Sequence, residues 1–490
     1  MGPPRTTVEL LHDVAARHPT ADAFVTATGE RLSFGEWDAA ADGVAAGLVD
    51  RGVTAGDVVC LLMPSSPEYM VCYHAVMRLG AITSGINQRL GHEEVAHILD
   101  QARPRVTVVG DGDSRPLTPA AGSVLPWAEL KSWWEAETPA RPLPEPDQPV
   151  LICWTGGTTG RPRGALFDHE NLKAVAGATG VLSARFDRRL SPIPFAHVGT
   201  MTRAWDEISR VITTVIAPVR WEAGETLRLI ERERVTVGQG VPTQWELMLR
   251  HPALEATDVS SLRLAATGGG AVTADLLRRM RAAFGVPVVN RYASTEGGGV
   301  ISGTRLDDAD DVILNTVGRA SDGVEIRVVD DDGRVLSTGD VGRVQARSGA
   351  VMREYWRDPV GTAQVLDADG WVTVGDLGRL DPAGNLTLAG RVGDSYVRGG
   401  YNVYPVEVED VLSDHPLVRE AAVLGVPDPV LGQIGVAYLV LGGPVTEEDL
   451  RAWVAARLAD YKVPDRIVAI EQMPVTSVGK IDKRALLGEG

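Results

Sequence analysis

The stretch Trp154-Thr155-Gly156-Gly157-Thr158-Thr159-Gly160-Arg161-Pro162-Arg163-Gly164 constrains this chain more than any other. It holds four glycines, three threonines and two arginines in eleven residues. It follows an apolar run, Pro149-Val150-Leu151-Ile152-Cys153, that reads as a buried strand. Glycine lets backbone N–H groups close around an anion with no Cβ in the way. Threonine hydroxyls add donors, and arginine adds a planar fork matched to phosphate oxygens. By composition this is a phosphate cradle; the plainer alternative is a glycine-rich surface turn.

The two commonest nucleotide loops do not fit. A Walker loop needs Lys and then Ser or Thr after its last glycine. No lysine follows Gly160, and Gly479-Lys480 is followed by Ile481. A dinucleotide loop needs Gly-x-Gly-x-x-Gly, and the nearest stretch, Gly268–Thr273, ends in threonine. The cradle does closely resemble the phosphate loop of the adenylate-forming superfamily, which includes acyl-CoA synthetases, non-ribosomal adenylation domains and beetle luciferases. That loop reads roughly [YW]-[ST]-[SG]-G-T-T-G-x-P-K-G. One place departs: Arg163 stands where lysine is usual.

At 490 residues the chain exceeds what one core usually supports, so at least two domains are expected. No apolar run is long enough to span a bilayer, and the N-terminus has no apolar signal region. Cys60, Cys72 and Cys153 sit in apolar contexts and read as buried thiols of a reducing, cytoplasmic compartment. A net charge of -17 argues against a general nucleic-acid binder, although local phosphate recognition is compatible with it. The oligomeric state stays open.

Strand and helix patterns alternate from Val58 to Val109, as in an α/β sheet with helices on its faces. The Pro- and Asp-rich segment from Asp111 to Gln148 reads as surface connection, with Trp133 and Trp134 packing locally. From Val392 onward the chain changes character and suggests a separate α+β unit.

Further motifs extend the resemblance along almost the whole chain. Phe195-Ala196-His197 matches an aromatic-then-histidine segment that borders the acyl pocket in the family. Gly268-Gly269-Gly270-Ala271 matches the glycine segment lining the acyl and adenine pocket. Tyr292-Ala293-Ser294-Thr295-Glu296 resembles Y-G-x-T-E, with Ala293 in place of glycine. The resemblance implies that Tyr292 stacks on adenine, Thr295 reaches the α-phosphate and Glu296 holds Mg²⁺. Asp376 matches the acceptor of both ribose hydroxyls, a role a carboxylate suits because its two oxygens match a vicinal diol. Arg391 matches an arginine on ribose and phosphate, and Gly399-Gly400 matches the pair beside the thiol channel. Pro474–Lys483 resembles P-x-[ST]-x-x-G-K-[IV], which makes Lys480 the catalytic lysine. Val241, Trp245, Gly270 and Gly297–Gly299 are expected to shape the acyl pocket.

The resemblance implies an α/β fold: a large N-terminal domain, 1–391, of α/β sheets with a distorted β-barrel, then a mobile α+β domain, 392–490, pivoting near Gly393. It implies ATP, Mg²⁺ and coenzyme A as the small molecules used, with the cradle from Thr155 to Arg163 acting on the phosphates. A small carboxylic acid is activated to an acyl-adenylate and passed to coenzyme A; the alternatives are loading of an acyl carrier protein and an inactive binding homologue. Amino-acid-activating members carry an aspartate near the Phe195–His197 position to pair the ammonium. Here the nearest is Asp206, several residues on, which favours an acyl-CoA synthetase.

Overall fold

A computed structural model of the chain describes residues 2–111, 117–134, 143–155, 162–270, 272–398, 401–458, 460–476 and 481–488. Gly156–Gly160, Ala271, Gly399, Gly400 and Lys480 lie outside them.

Two sheets carry the large N-terminal part. One has seven strands, in the order Glu354–Tyr355, Gly164–Asp168, Pro149–Trp154, Ile82–Gly85, Val58–Leu62, Val106–Val109 and Ser123–Pro126. Its central strands Ile82–Gly85, Val58–Leu62 and Val106–Val109 are buried at every residue, as in a parallel sheet covered on both faces. The other has nine strands, and Arg188–Ser191, Thr213–Ile216, Val237–Gly240, Leu264–Gly268 and Val288–Tyr292 run parallel within it. Ligands of such sheets sit outside the carboxyl ends of the parallel strands. That rule places the next residues of each strand, Pro192–His197, Val241, Gly269–Gly270 and Ala293–Glu296, on one edge.

The helix His169–Ala178 fixes the segment that leaves the cradle. Asp168 caps it reciprocally with Asn171, and Arg353 pairs with the Asp168 carboxylate at 2.5 Å. The Asn171 amide donates to the carbonyls of Gly349 and Val351 at 2.8 and 3.0 Å, tying the helix start to the chain around residue 350. His169, fully buried, accepts at Nδ1 from the Thr7 N–H at 3.2 Å, and burial lowers its pKa to about 4.

Residues 325–391 contribute a third sheet of four antiparallel strands, Glu325–Val329, Gly342–Arg347, Val372–Leu380 and Leu386–Arg391. A fourth sheet draws all its strands from residues beyond 395, and Tyr396, Val403, Val408, Leu412, Val423 and Leu450 form a core of their own there. The fold is thus mixed α/β with a large N-terminal and a small C-terminal part.

One expectation fails locally. The segment read as surface connection contains the strand Ser123–Pro126 and the helix Trp127–Lys131, with Leu125, Trp127 and Leu130 buried. Trp133 packs as expected, on the helix Phe34–Asp50, where a Cβ at Gly47 would stand 2.0 Å from its ring. The three cysteines are buried and free, and burial pushes the Cys60 thiol up to about 12.

Candidate active site

The cradle is the connection of an antiparallel hairpin, Pro149–Trp154 with Gly164–Asp168. The Thr155 N–H donates to the Arg163 carbonyl at 2.9 Å, and the Arg163 N–H donates to Thr155 Oγ1 at 3.4 Å. These bonds close the base of the loop. Gly164 is required there because a Cβ would stand 2.6 Å from an Ile152 methyl.

Beyond the base, Arg163 meets a residue that sequence reasoning missed. Its guanidinium lies over the Tyr355 ring, 5.5 Å from the centroid, and 3.8 Å from Asp358. The Tyr355 hydroxyl donates to Glu296 Oε1 at 2.6 Å. Burial, then the charge of Glu296, drives the phenol's pKa well above its ordinary value. Tyr355 thus links the cradle's cation to the acidic end of the Tyr292–Glu296 motif. Its strand, Glu354–Tyr355, has only two residues, too few for any periodic signal.

The same motif begins at Tyr292, whose hydroxyl donates to Asp376 Oδ2 at 2.5 Å. Asp376 Oδ1 faces Arg391 Nε at 3.0 Å, and the two residues pair directly across neighbouring strands. Tyr292 is only 8% exposed and belongs to a buried cluster with Val300, Ile301 and Val374. Thr295 is half-buried one turn on, and its carbonyl accepts from the Gly298 N–H at 3.0 Å.

His197, Val241 and the two glycine segments meet at several strand ends. His197 Nε2 lies 3.3 Å from the Asn87 amide, which joins the two large sheets. Thr202 Oγ1 donates to the Gly298 carbonyl at 3.0 Å, so the segment after His197 and the glycine run after Glu296 are tied together. Val241 and Pro242 face Gly269 and Gly270: a Cβ at Gly269 would stand 3.9 Å from Val241 Cγ1, and one at Gly270 3.6 Å from Pro242.

Three residues expected at the pocket are buried. Phe195 is 1% exposed and packs edge-on against Tyr69, with centroids 5.8 Å apart, so it supports the histidine segment from within the core. Gly297 is buried, and its missing Cβ would meet Ile301 at 3.0 Å, not open space. Trp245 is fully buried on Gly238 and Gly240 and donates its indole N–H to the Ala266 carbonyl at 3.1 Å.

Comparison with known proteins decides the family. Residues 11–356 match the model of the AMP-binding enzymes, and residues 407–480 match that of the AMP-binding enzyme C-terminal domain. The chain belongs to the adenylate-forming AMP-binding enzymes. It is 32% identical to the long-chain-fatty-acid–CoA ligase FadD13 of Mycobacterium tuberculosis, over 97% of each chain. It is 33% identical to a feruloyl-CoA synthase of an Amycolatopsis species, over 96% of this chain and 95% of that one. Its fold superposes on ATP-bound MatB from Rhodopseudomonas palustris with a TM-score of 0.89, at 28% identity and 98% coverage of both. Among the described residues, no helix is long and apolar enough to cross a membrane.

Proposed function

We propose that this chain is an AMP-forming acid–CoA ligase whose substrate is a carboxylic acid lacking an α-ammonium group. The observation that carries this choice is Asp206. It is fully buried, bonded to Arg189 at 3.1 Å, Arg210 at 2.9 Å, Ser183 at 2.7 Å and Thr179 at 3.1 Å. Burial works to raise its pKa, but the charges of Arg189 and Arg203 hold it below the usual carboxylate range. An aspartate so committed has no capacity left for a substrate ammonium. The relatives named as ligases of fatty and ferulic acids support the same class.

A carboxylate is a poor acyl donor because oxide is a poor leaving group. Its oxygen attacks the α-phosphorus of ATP in line, pyrophosphate leaves, and a thiol then attacks the acyl-adenylate and expels AMP. Charge spreads over phosphoryl oxygens in the first step, so positioning and electrostatics do most of the work. In this reading the cradle from Thr155 to Arg163 holds the phosphates, Asp376 accepts both ribose hydroxyls, and Arg391 contacts ribose and phosphate. Thr295 reaches the α-phosphate, while His197, Val241, Gly269 and Gly270 border the acid. Lys480 takes the catalytic role through its motif, bridging the carboxylate and the α-phosphate.

Mg²⁺ fits this residue set. Glu296 is half-buried and, among the described residues, makes a hydroxyl bond but no ion pair. No cluster of three protein ligands for a metal exists among the described residues. A single carboxylate such as Glu296 is what a hard cation takes when it keeps waters and binds substrate phosphates. Bound there, the cation would neutralise charge on the β- and γ-phosphates.

The domain boundary is put at Arg391–Val392 and the pivot at Gly393. Gly393 has φ +93° in a turn closed by the Asp394 N–H on the Arg391 carbonyl at 3.0 Å, and nothing lies within 4 Å of where its Cβ would be. A glycine at the third position of such a turn meets the φ > 0 requirement without strain.

The test is product analysis with a panel of fatty, aromatic and dicarboxylic acids. The proposal expects acyl-CoA and AMP in equal amounts for at least one acid. Thioester formed only on carrier-protein phosphopantetheine would move the assignment to a carrier-loading ligase, and activation of amino acids alone would refute it.

A further inference from the structure

We propose that Tyr355 is a positioning residue that keeps Arg163 and Glu296 from pairing with each other, so that one stays available to phosphate and the other to the metal. The inference rests on the ligase reading above. One rigid side chain touches both opposite charges: its hydroxyl bonds Glu296 Oε1 at 2.6 Å, and its ring carries the Arg163 guanidinium at 5.5 Å. The ring has little freedom to leave. Tyr355 is 4% exposed, pairs with Ala165 across the strand edge, and donates its N–H to Thr362 Oγ1 at 2.9 Å. The next residue, Trp356, donates its N–H to the Gly164 carbonyl at 2.6 Å. On the other side the Met352 N–H donates to the Glu296 carbonyl at 2.9 Å, which fixes the glutamate's backbone relative to the same strand.

A guanidinium and a carboxylate that share one neighbour in a partly dry site attract each other, and such pairs are frequently bidentate. Such a pair would neutralise the cradle's cation and the metal's ligand together. Tyr355 prevents it by offering each charge a weaker partner. The phenol O–H satisfies Glu296 without cancelling its charge, so the carboxylate keeps its attraction for a cation. The ring face holds Arg163 by a cation–π contact, which phosphate oxygens can outcompete. The other partner of Arg163, Asp358, is at 3.8 Å, too long for a direct hydrogen bond.

Tyr355→Phe keeps the ring and its packing and removes the hydroxyl, with its bond to Glu296 and its interaction with Arg163. Glu296 then lacks its donor and turns to Arg163. The dissociation constant of MgATP, measured by calorimetry without acid, should rise about tenfold, as should half-saturating Mg²⁺ in the exchange assay, the scale of a lost hydrogen bond to a charged group. The Michaelis constant for the acid should stay within about twofold, and raising the salt should narrow the MgATP defect because the new ion pair is screened. MgATP binding and Mg²⁺ dependence within about twofold of the native enzyme would overturn the proposal. So would an equal loss for ATP and acid, which is what a packing defect gives. If the native enzyme binds MgATP yet activates no acid, the ligase reading fails, while the calorimetric comparison still decides the role of Tyr355.

Discussion

Replacing Asp376 with asparagine separates its structural use from its proposed role on ribose. Two contacts of the carboxylate differ in worth. Its bond from the Tyr292 hydroxyl, at 2.5 Å, is charge-assisted and buried, a class that contributes about 1.5–3 kcal/mol. Its pair with Arg391, at 3.0 Å, involves an arginine side chain that is 46% exposed, so screening limits it to about 1 kcal/mol or less. Asparagine keeps one acceptor oxygen and loses the charge, so the fold should lose about 1–2 kcal/mol and remain intact. ATP should lose more, because a diol donating to both oxygens of a carboxylate then meets one acceptor and one donor. Two charge-assisted bonds weakened together predict a Michaelis constant for ATP raised about 10- to 100-fold, with that for the acid little changed. The decisive assay compares ATP with its 2′- and 3′-deoxy analogues in both enzymes. The native enzyme should discriminate against the analogues and Asp376→Asn should not. Undiminished discrimination in the variant would show that Asp376 does not accept the ribose hydroxyls.

Two further outcomes follow from the geometry. His169 is held neutral with a pKa of about 4 against about 6.5 when unfolded, so the unfolded chain binds more protons between those values; its contribution is complete above about pH 6.5 and is lost as pH falls toward 4, by about 3 kcal/mol. Burial lowers His74 in the same direction, so urea midpoints should fall between pH 7 and 5 and His169→Gln should flatten that slope; an unchanged slope would show that the acid sensitivity arises elsewhere. Gly393→Pro forces φ near −65° where the chain needs +93°, so pyrophosphate exchange and thioester formation, measured separately, should slow by unequal factors, and equal small changes would place the pivot at another residue.

The legible part of this protein was the part governed by local rules. The strand before the cradle was readable because an apolar run ending directly in clustered glycines marks a buried strand followed by a loop; its antiparallel partner Gly164–Asp168 was not read. The helix cap at Asp168–Asn171 obeys a local rule of the same kind, since a short polar side chain before a helix has one main use. Depth was not readable. Phe195 and Trp245 look equally suited to lining a pocket or filling a core, and only the Gly238 and Gly240 groove under Trp245 and the Tyr69 ring beside Phe195 decide the matter. Tyr355 escaped for a different reason: its position depends on a two-residue strand pairing with a strand almost two hundred positions earlier, and no local pattern reports such a contact. The strand Ser123–Pro126 was hidden by the prolines and exposed residues around it, although Leu125 alone is buried deeply enough to anchor it.

The claim that the first half-reaction makes an acyl-adenylate through Lys480 has one direct measurement, acid-dependent exchange of labelled pyrophosphate into ATP with coenzyme A absent. The native enzyme should show exchange that rises with the acid it prefers. Lys480→Ala should lose that exchange and still convert synthetic acyl-adenylate and coenzyme A to thioester. Exchange that needs coenzyme A, or exchange undiminished in Lys480→Ala, would contradict the account.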